Sequence, residues 1–515
     1  MKRIIRFLMS KSFLFGALAI LQVGFLLGII LKFAHAGSYL YTVITIVSVL
    51  LCIILFEKDD INPAYKMMWI AIVILLPITG AIFYIMWGNR KLSKKTSIRF
   101  QTIEANARSV MVRDNHLYDK LSQNSMSLLR CSEYLTGSSG TPLYTDTYSE
   151  YFPWGEVFFE RFLEELKQAK KCIFMEYFIV DEGYMWDTTL DILKEKVQEG
   201  VDVRIIFDSF GTMFTLPNNY EVTLRKYGIK SYPFNPIHFS AHLSDYTFLN
   251  HRDHRKICII DNEIGFTGGL NFADEYINKR SPYGIWKDTA LMLKGPGAYS
   301  LTVTFLKMWA FVSGEDVHYE DFRPVTRYPV EDSFNFVQPY DDSPLDGENV
   351  AENAYFNIIN SAKKYVYIAT PYLIIDHEMM VALTLAAKSG VDVRLMTPGI
   401  PDKKYVYYLT QAHYPELLKA GVRIFEYTPG FVHCKMYVSD DKTAIVGSAN
   451  MDYRSLYLHF ENCCAFYGGD VVDQVKQDMI TSFEQCREIT LEDTRRTPFF
   501  KRILQVVFRF FAPLM

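Results

Sequence analysis

The chain opens with three long apolar runs and then changes to short, alternating elements. Phe13 to Leu31 is apolar except for Gln22, Tyr39 to Phe56 carries no charge, and Met67 to Trp87 is uncharged but interrupted by Pro77. Each run approaches the ~20 residues a helix needs to cross ~30 Å of hydrocarbon, so residues 1–87 are expected to form a membrane region. Lys2, Arg3, Arg6 and Lys11 before the first run would suit a signal peptide, yet no small-residue cleavage site follows Leu31 and two further runs would go unexplained. Basic residues return after the third run at Arg90, Lys91, Lys94, Lys95 and Arg99. Keeping both clusters in the cytoplasm requires an even number of crossings. The second and third runs are therefore expected to pair as a hairpin through Glu57-Lys58-Asp59-Asp60, with the first spanning imperfectly or lying along the interface.

Residues 88–130 read as a polar connector, and the Gly137-Ser138-Ser139-Gly140 segment as the start of a loop. Beyond it, apolar positions recur first at helical and then at strand spacing. Phe158, Phe159, Phe162, Leu163 and Leu166 predict a helix, Ile173 to Val180 a strand, and Leu190, Leu193 and Val197 a helix stopped by Gly200. The order returns as a helix over 353–362, a strand over 365–369 and a helix over 381–388 stopped by Gly390. The pentapeptide Gly200-Val-Asp-Val-Arg204 recurs identically as Gly390-Val-Asp-Val-Arg394. Alternating strands and helices, met twice, predict an α/β protein of two similar halves built on mostly parallel or mixed sheets. The acidic, Pro-containing stretch from Arg323 to Asp346 marks the boundary, giving halves at 131–325 and 326–515.

A second repetition carries chemistry. His254-Arg255-Lys256 is followed by Asp261 and by Gly268-Gly269-Leu270-Asn271. His433-Cys434-Lys435 is followed, at the same spacings, by Asp440 and by Gly447-Ser448-Ala449-Asn450. Alternation along a strand puts each His and Lys on one face. Paired histidines, lysines and asparagines from repeated units suggest one site built between two halves.

The duplicated H-x-K-x(4)-D-x(6)-G-[GS]-x-N resembles the signature of the phospholipase D superfamily, over roughly residues 130–515. Within it, the hydrophobic N-terminus and the ending Phe510-Phe511-Ala512-Pro513-Leu514-Met515 look most like bacterial cardiolipin synthases. The resemblance implies two phospholipase D-like halves related by a pseudo-twofold axis, behind an N-terminal transmembrane helical region. The anchor of that family is usually one hairpin, so the extra first run departs from its pattern.

Lys256 and Lys435 can hold the anionic oxygens of a phosphodiester and stabilise a five-coordinate phosphorus, with Asn271 and Asn450 donating to the same oxygens. Imidazole can serve as nucleophile and as proton carrier near neutrality. By analogy with the family, His254 is expected to attack phosphorus and His433 to act as acid and base. Asp261 and Asp440 complete the catalytic motifs, although their strand-end positions suggest hydrogen-bonding roles. Family members use an acidic residue some thirty positions after the motif His to orient an imidazole, which points here to Asp288 and Glu461. His251 and His459 fit no motif offset and are expected to be pocket-wall or core residues. Glu176-Tyr177 and Thr370-Pro371-Tyr372 occupy corresponding strand ends, and either line the site or terminate strands.

This chemistry needs no cofactor, and no carboxylate cluster suggests a two-metal site. Eight scattered cysteines without a C-x-x-C pair read as reduced thiols. The formal charge of −4 argues against a basic coat for nucleic acid. The mixture of basic and large apolar residues from Arg495 to Phe511 suits an amphipathic helix in a membrane interface. The expected activity is transfer of a phosphatidyl group between two phosphatidylglycerol molecules through a phosphohistidine, releasing glycerol. Phospholipase D hydrolysis, or transfer to another alcohol, is the alternative. The expected location is the cell membrane, multi-pass, with the catalytic halves facing the cytoplasm and anionic lipid as partner.

Overall fold

The computed structural model describes residues 34–58, 62–88, 94–236, 250–329 and 334–515. Contacts divide the chain into an N-terminal unit, reaching Thr96, and a larger unit that carries both motifs.

In the N-terminal unit the second apolar run lies within the helix Ala34–Glu57. The third is broken. A helix over Pro63–Leu75 ends at Leu76, a second begins at Pro77, and a π-helical turn occupies Tyr84–Gly88. Proline lacks the N–H that a continuous helix needs and its ring crowds the preceding turn, so the break falls where Pro77 stands. Among the described residues no helix is both long and apolar enough to cross a membrane, which corrects the expectation of full spans at 39–56 and 67–87. The run 13–31 lies outside the described residues.

The larger unit is a duplicated α/β structure. The first half contributes β1 (Tyr148–Phe152), β2 (Cys172–Tyr177), β3 (Asp202–Asp208), β4 (Lys230–Phe234), β5 (Arg252–Asp253), β6 (Lys256–Ile260), β7 (Ile264–Gly268), β8 (Ile285–Lys287) and β9 (Ala290–Lys294). The second contributes β10 (Asn335–Asp342), β11 (Tyr365–Ala369), β12 (Leu373–Ile374), β13 (Asp392–Pro398), β14 (Arg423–Tyr427) and β15 (Gly430–Val432). It continues with β16 (Met436–Ser439), β17 (Thr443–Gly447), β18 (Met451–Asp452), β19 (His459–Gly468) and β20 (Cys486–Ile489). One sheet runs β1-β9-β7-β6-β2-β3-β4 and the other β10-β19-β17-β16-β11-β13-β14-β20. Strand for strand the two orders correspond, with β20 added at one edge. Within each sheet β2-β3-β4 and β11-β13-β14 are parallel, while β6-β7-β9-β1 and β16-β17-β19-β10 are antiparallel.

The matching pentapeptides have matching geometry. Gly200 and Gly390 end their helices at φ +88° and +93°, a conformation open to glycine at little cost. Asp202 then pairs with Arg204 at 2.7 Å, and Asp392 with Arg394 at 2.6 Å. Every residue of β2 and of β11 is buried, as expected for central strands covered on both faces. Phe158, Phe159, Phe162 and Leu166 of the helix Gly155–Lys167 pack into the first core with Ile173, Met175 and Phe266. The connector is more ordered than its polarity suggests. Helices Asn115–Asn124 and Met126–Ser139 bury Tyr118, Leu121, Leu128 and Leu135 in the core of the second half. The predicted loop start at Gly137 is helical as far as Ser139, and Gly140 at φ +75° ends it. All eight cysteines are free.

Candidate active site

Both motif histidines stand where strands of one half cross to the other. β5 runs parallel to the start of β19, pairing Arg252 with His459 and Asp253 with Phe460. The His254 N–H continues the ladder by donating to the Phe460 carbonyl at 2.9 Å. On the other side β15 runs parallel to β8, pairing Phe431 with Trp286 and Val432 with Lys287, and the His433 N–H donates to the Lys287 carbonyl at 2.7 Å. The next residue on each partner strand is a carboxylate. His254 Nδ1 therefore meets Glu461 at 2.9 and 3.0 Å, and His433 Nδ1 meets Asp288 at 2.6 Å. Each imidazole is held through Nδ1 by the acid of the opposite half.

The lysines follow the strand alternation. Lys256 Nζ and Lys435 Nζ fold back to donate to the carbonyls of His254 and His433, and Lys435 Nζ stands 2.9 Å from His433 Nδ1 and 3.2 Å from Nε2. The four groups are buried, at 7 % exposure for each histidine and 1 % for each lysine. Burial, reinforced by Lys256 and Lys435, pushes His254 well below its ordinary pKa. Burial also lowers His433 to about 4, against the pull of Asp288, and Lys256 to about 7. Asp288 is held below the usual carboxylate range despite its burial, because His433 and Lys435 lie beside it. Both shifts favour the neutral imidazole. An anionic phosphodiester placed between the lysines offsets their charge and raises both histidines toward protonation.

The glycines of the motif make room for close approaches. A Cβ on Gly268 would come within 2.4 Å of the Thr289 carbonyl, and one on Gly447 within 2.5 Å of the Asn462 carbonyl. At the next position the halves differ. A Cβ on Gly269 would meet Asp288 Oδ1 at 2.2 Å, whereas Ser448 donates to Glu461 Oε2 at 2.5 Å. The two carboxylates thus reach the same place by different support. The surroundings differ too. His254 is flanked by Phe178 and His459, with ring centroids 5.0 and 5.5 Å away. His433 sits among Tyr276, Trp286 and Phe431, at 5.3, 5.4 and 6.0 Å.

Asp261 and Asp440 do not join this cluster. They occupy the far ends of β6 and β16, at φ +55° and +56°. Asp261 accepts from the backbone N–H groups of Lys170, Lys171 and Cys172, and Asp440 from those of Lys363, Lys364 and Tyr365. They bind each hairpin turn to the entry of the neighbouring central strand, which corrects their place in the catalytic set. Asn271 is also engaged, accepting from the Ile179 N–H at 3.1 Å and donating to the Tyr276 hydroxyl at 2.7 Å. Asn450 Oδ1, by contrast, is buried without a hydrogen-bond partner among the described residues.

Several residues have no signal in the motif. Arg255, 2 % exposed, reaches Glu176 and Asp341 at 3.3 Å each and the Glu461 carbonyl at 3.4 Å. Glu176 thus serves beneath the site, and Asp341 is shared with Lys307 at 2.7 Å. Tyr372 donates to Asp402 at 2.6 Å and lies 6.3 Å from the ring of Phe431. His251 bonds the Leu458 carbonyl through Nδ1. His459 is a buried wall of the site, and its Nδ1 lies 3.8 Å from Glu461. His254, His459 and Glu461 bring one ligating atom each within 4.8 Å of one another.

Two family models match this chain. Residues 162–309 and 355–484 match the model described as cardiolipin synthase, PLD-like domain, and residues 42–89 match a phospholipase D-nuclease N-terminal model. A cardiolipin synthase of Geobacillus kaustophilus is 34 % identical over 505 residues, covering 97 % of both chains. The chain belongs to the phospholipase D-like cardiolipin synthase family. Another member of this cardiolipin synthase family, cardiolipin synthase 2 of Bacillus anthracis, is 34 % identical over 90 % of this chain and 89 % of its own. An uncharacterized protein of Streptococcus mutans is 42 % identical over 87 % of this chain and 96 % of its own. The phosphatidylserine synthase structure of Haemophilus influenzae shares the fold, with a TM-score of 0.58 at 14 % identity over 75 % of this chain and 100 % of that one.

Proposed function

We propose that this site transfers a phosphatidyl group from one phosphatidylglycerol to the hydroxyl of another, through a phosphohistidine, giving cardiolipin and glycerol. Family membership makes the chain a phosphatidyltransferase. The observation that carries the mechanism is the pair of buried imidazoles, each with Nδ1 bonded to a carboxylate and each beside a lysine. A proton on Nδ1 leaves a lone pair on Nε2, as a nucleophile requires.

In the first step His254 Nε2 bonds to phosphorus while the P–O bond to glycerol breaks, and the departing oxygen takes the Nε2 proton of His433, which enters this step as the imidazolium with Asp288 on Nδ1. In the second, His433 Nε2 takes the proton of the incoming lipid hydroxyl, whose oxygen bonds to phosphorus. The P–N bond breaks and its electrons return to His254. Lys256 and Lys435 balance the charge that builds on the phosphoryl oxygens, and the unpartnered Asn450 amide oxygen is placed to receive a substrate hydroxyl. The order of the histidines follows the family analogy, and Asp288 pulls His433 toward protonation against its burial, as suits the proton carrier.

We further place the enzyme at the cytoplasmic membrane, its catalytic halves on the cytoplasmic side. The widely exposed apolar side chains of the helix Ala34–Glu57, among them Val43, Ile46, Leu50 and Ile53, support that location.

Labelled phosphatidylglycerol, followed by chromatography, tests the reaction. Cardiolipin with glycerol is the expected outcome, whereas phosphatidic acid alone would make the chain a hydrolase. Acid-quenched enzyme should carry phosphorus label on His254. His433→Ala should be rescued by a nitrophenyl leaving group, which departs without a proton, and His254→Ala should not. Activity should survive extensive chelation.

A further inference from the structure

Away from both histidines, a cavity of about 790 Å³ opens between the helix Lys404–Ala420, the helix Leu491–Arg495 and the C-terminal helix Phe499–Phe510. Arg495, Arg496, Lys501, Arg502 and Arg509 line it, and Glu426 and Asp493 are its two acidic lining residues. Neither carboxylate offsets that charge fully. Glu426 accepts from Tyr407, Gln411 and Tyr414, and Asp493 from Thr490 and Arg487. Arg496 pairs with Glu492. Lys501 bonds the Gln411 amide oxygen, and Arg502 bonds the Arg495 carbonyl. Among the described residues, Arg495, Lys501, Arg502 and Arg509 have no carboxylate partner within 4.0 Å. Four cations gathered at one cavity without a paired carboxylate repel one another, so the cavity suits an anion.

The helix beside it identifies which anion. Lys501, Arg502, Gln505 and Arg509 face the cavity, while Phe499, Phe500, Ile503, Leu504, Val507 and Phe510 are left exposed, Phe499 and Phe500 at 72 % and 78 %. No residue of this helix is buried. Large apolar side chains on one face, with arginines on the other, form the pattern of a helix lying in a membrane interface. We propose that the helix Phe499–Phe510 lies in the surface of an anionic bilayer, and that the adjoining cavity takes the phosphate headgroup of one anionic phospholipid. This lipid is separate from the pair that reacts, and its site does not depend on the transfer mechanism.

Hydrogen exchange of the full-length protein in lipid nanodiscs tests this. In discs of phosphatidylcholine carrying phosphatidylglycerol, residues 499–510 should exchange at least tenfold more slowly than in pure phosphatidylcholine. The variant Arg495→Gln/Arg502→Gln/Arg509→Gln should lose that protection, since each basic residue near an anionic surface contributes about fivefold in affinity. Exchange in β2 and β11 reports whether the variant is folded, and the wild-type comparison stands without it. Equal protection in both discs would overturn the proposal. So would protection of neutral discs by inorganic phosphate, which would make this a site for free anions, or protection that a folded variant retains.

Discussion

His254 of the first half bonds Glu461 of the second at 2.9 Å, and the reciprocal contact joins His433 to Asp288 at 2.6 Å. Neither imidazole is oriented by the half that supplies it, so neither half is a complete catalytic unit. The cause is the register of two short parallel ladders, which sets each histidine opposite the residue after Phe460 or after Lys287.

That crossing predicts which step each carboxylate serves. Glu461→Gln should slow formation of the phosphohistidine by up to about 10⁴-fold, the loss when the carboxylate orienting a catalytic imidazole becomes an amide. Asp288→Asn should slow transfer from natural lipid similarly, yet recover its first step with a nitrophenyl leaving group. Single-turnover kinetics with both substrates checks this. Recovery in Glu461→Gln instead would make His254 the proton carrier and reverse the assigned roles.

The lysines predict a pH profile. In the free enzyme burial brings Lys256 to about 7, so its charge is present below that pH and lost above it. kcat/KM, which reports the free enzyme, should fall as pH rises through about 7. kcat should hold to higher pH, because bound phosphate favours the ammonium form. Lys256→Arg, charged throughout this range, should be less active and lose the alkaline limb. Persistence of that limb would assign it to another group.

The motif aspartates should matter for folding and not for chemistry. Asp261→Ala and Asp440→Ala each strip the partner from three backbone N–H groups at a strand entry. A loss of about 1–3 kcal/mol is expected for each, with turnover per folded molecule unchanged. Denaturant titration and burst-counted active sites measure the two quantities separately.

Arg255 should be a stability residue despite its place between His254 and Lys256. Arg255→Met leaves Glu176 and Asp341 buried without it and should cost ~3–5 kcal/mol. Glu176→Gln should recover part of that loss, because burial and Asp253 already hold the Glu176 carboxyl well above its ordinary value. The second half tolerates Cys434 at the matching position, where Lys287 instead pairs with Asp478 at 2.8 Å. Unfolding midpoints of the single and double variants test the coupling.

The sequence by itself determined what repeats and which residues are candidates for the chemistry. The identical Gly-Val-Asp-Val-Arg segments, the apolar runs of β2 and β11 and the two H-x-K strands are local patterns, written by burial and by the two-residue period of a strand. They suffice to give α/β halves, place His and Lys on one face and nominate Asp288 and Glu461. The tertiary structure decided the partners. Whether Glu461 meets His433, 28 positions earlier, or His254, 207 positions earlier, depends on which strands pair between the halves, and no local period encodes that. The same limit applies to Asp261 and Asp440, which motif spacing groups with the catalytic residues and whose hydrogen bonds go to residues 170–172 and 363–365. It hid the role of Arg255, whose acceptors come from distant strands. In the third apolar run, composition gave hydrophobicity, but the backbone at Pro77 set where the helix ends. Hydrophobic period and motif spacing are properties of neighbours in the chain, whereas a hydrogen bond between halves belongs to a register that only the folded sheets fix.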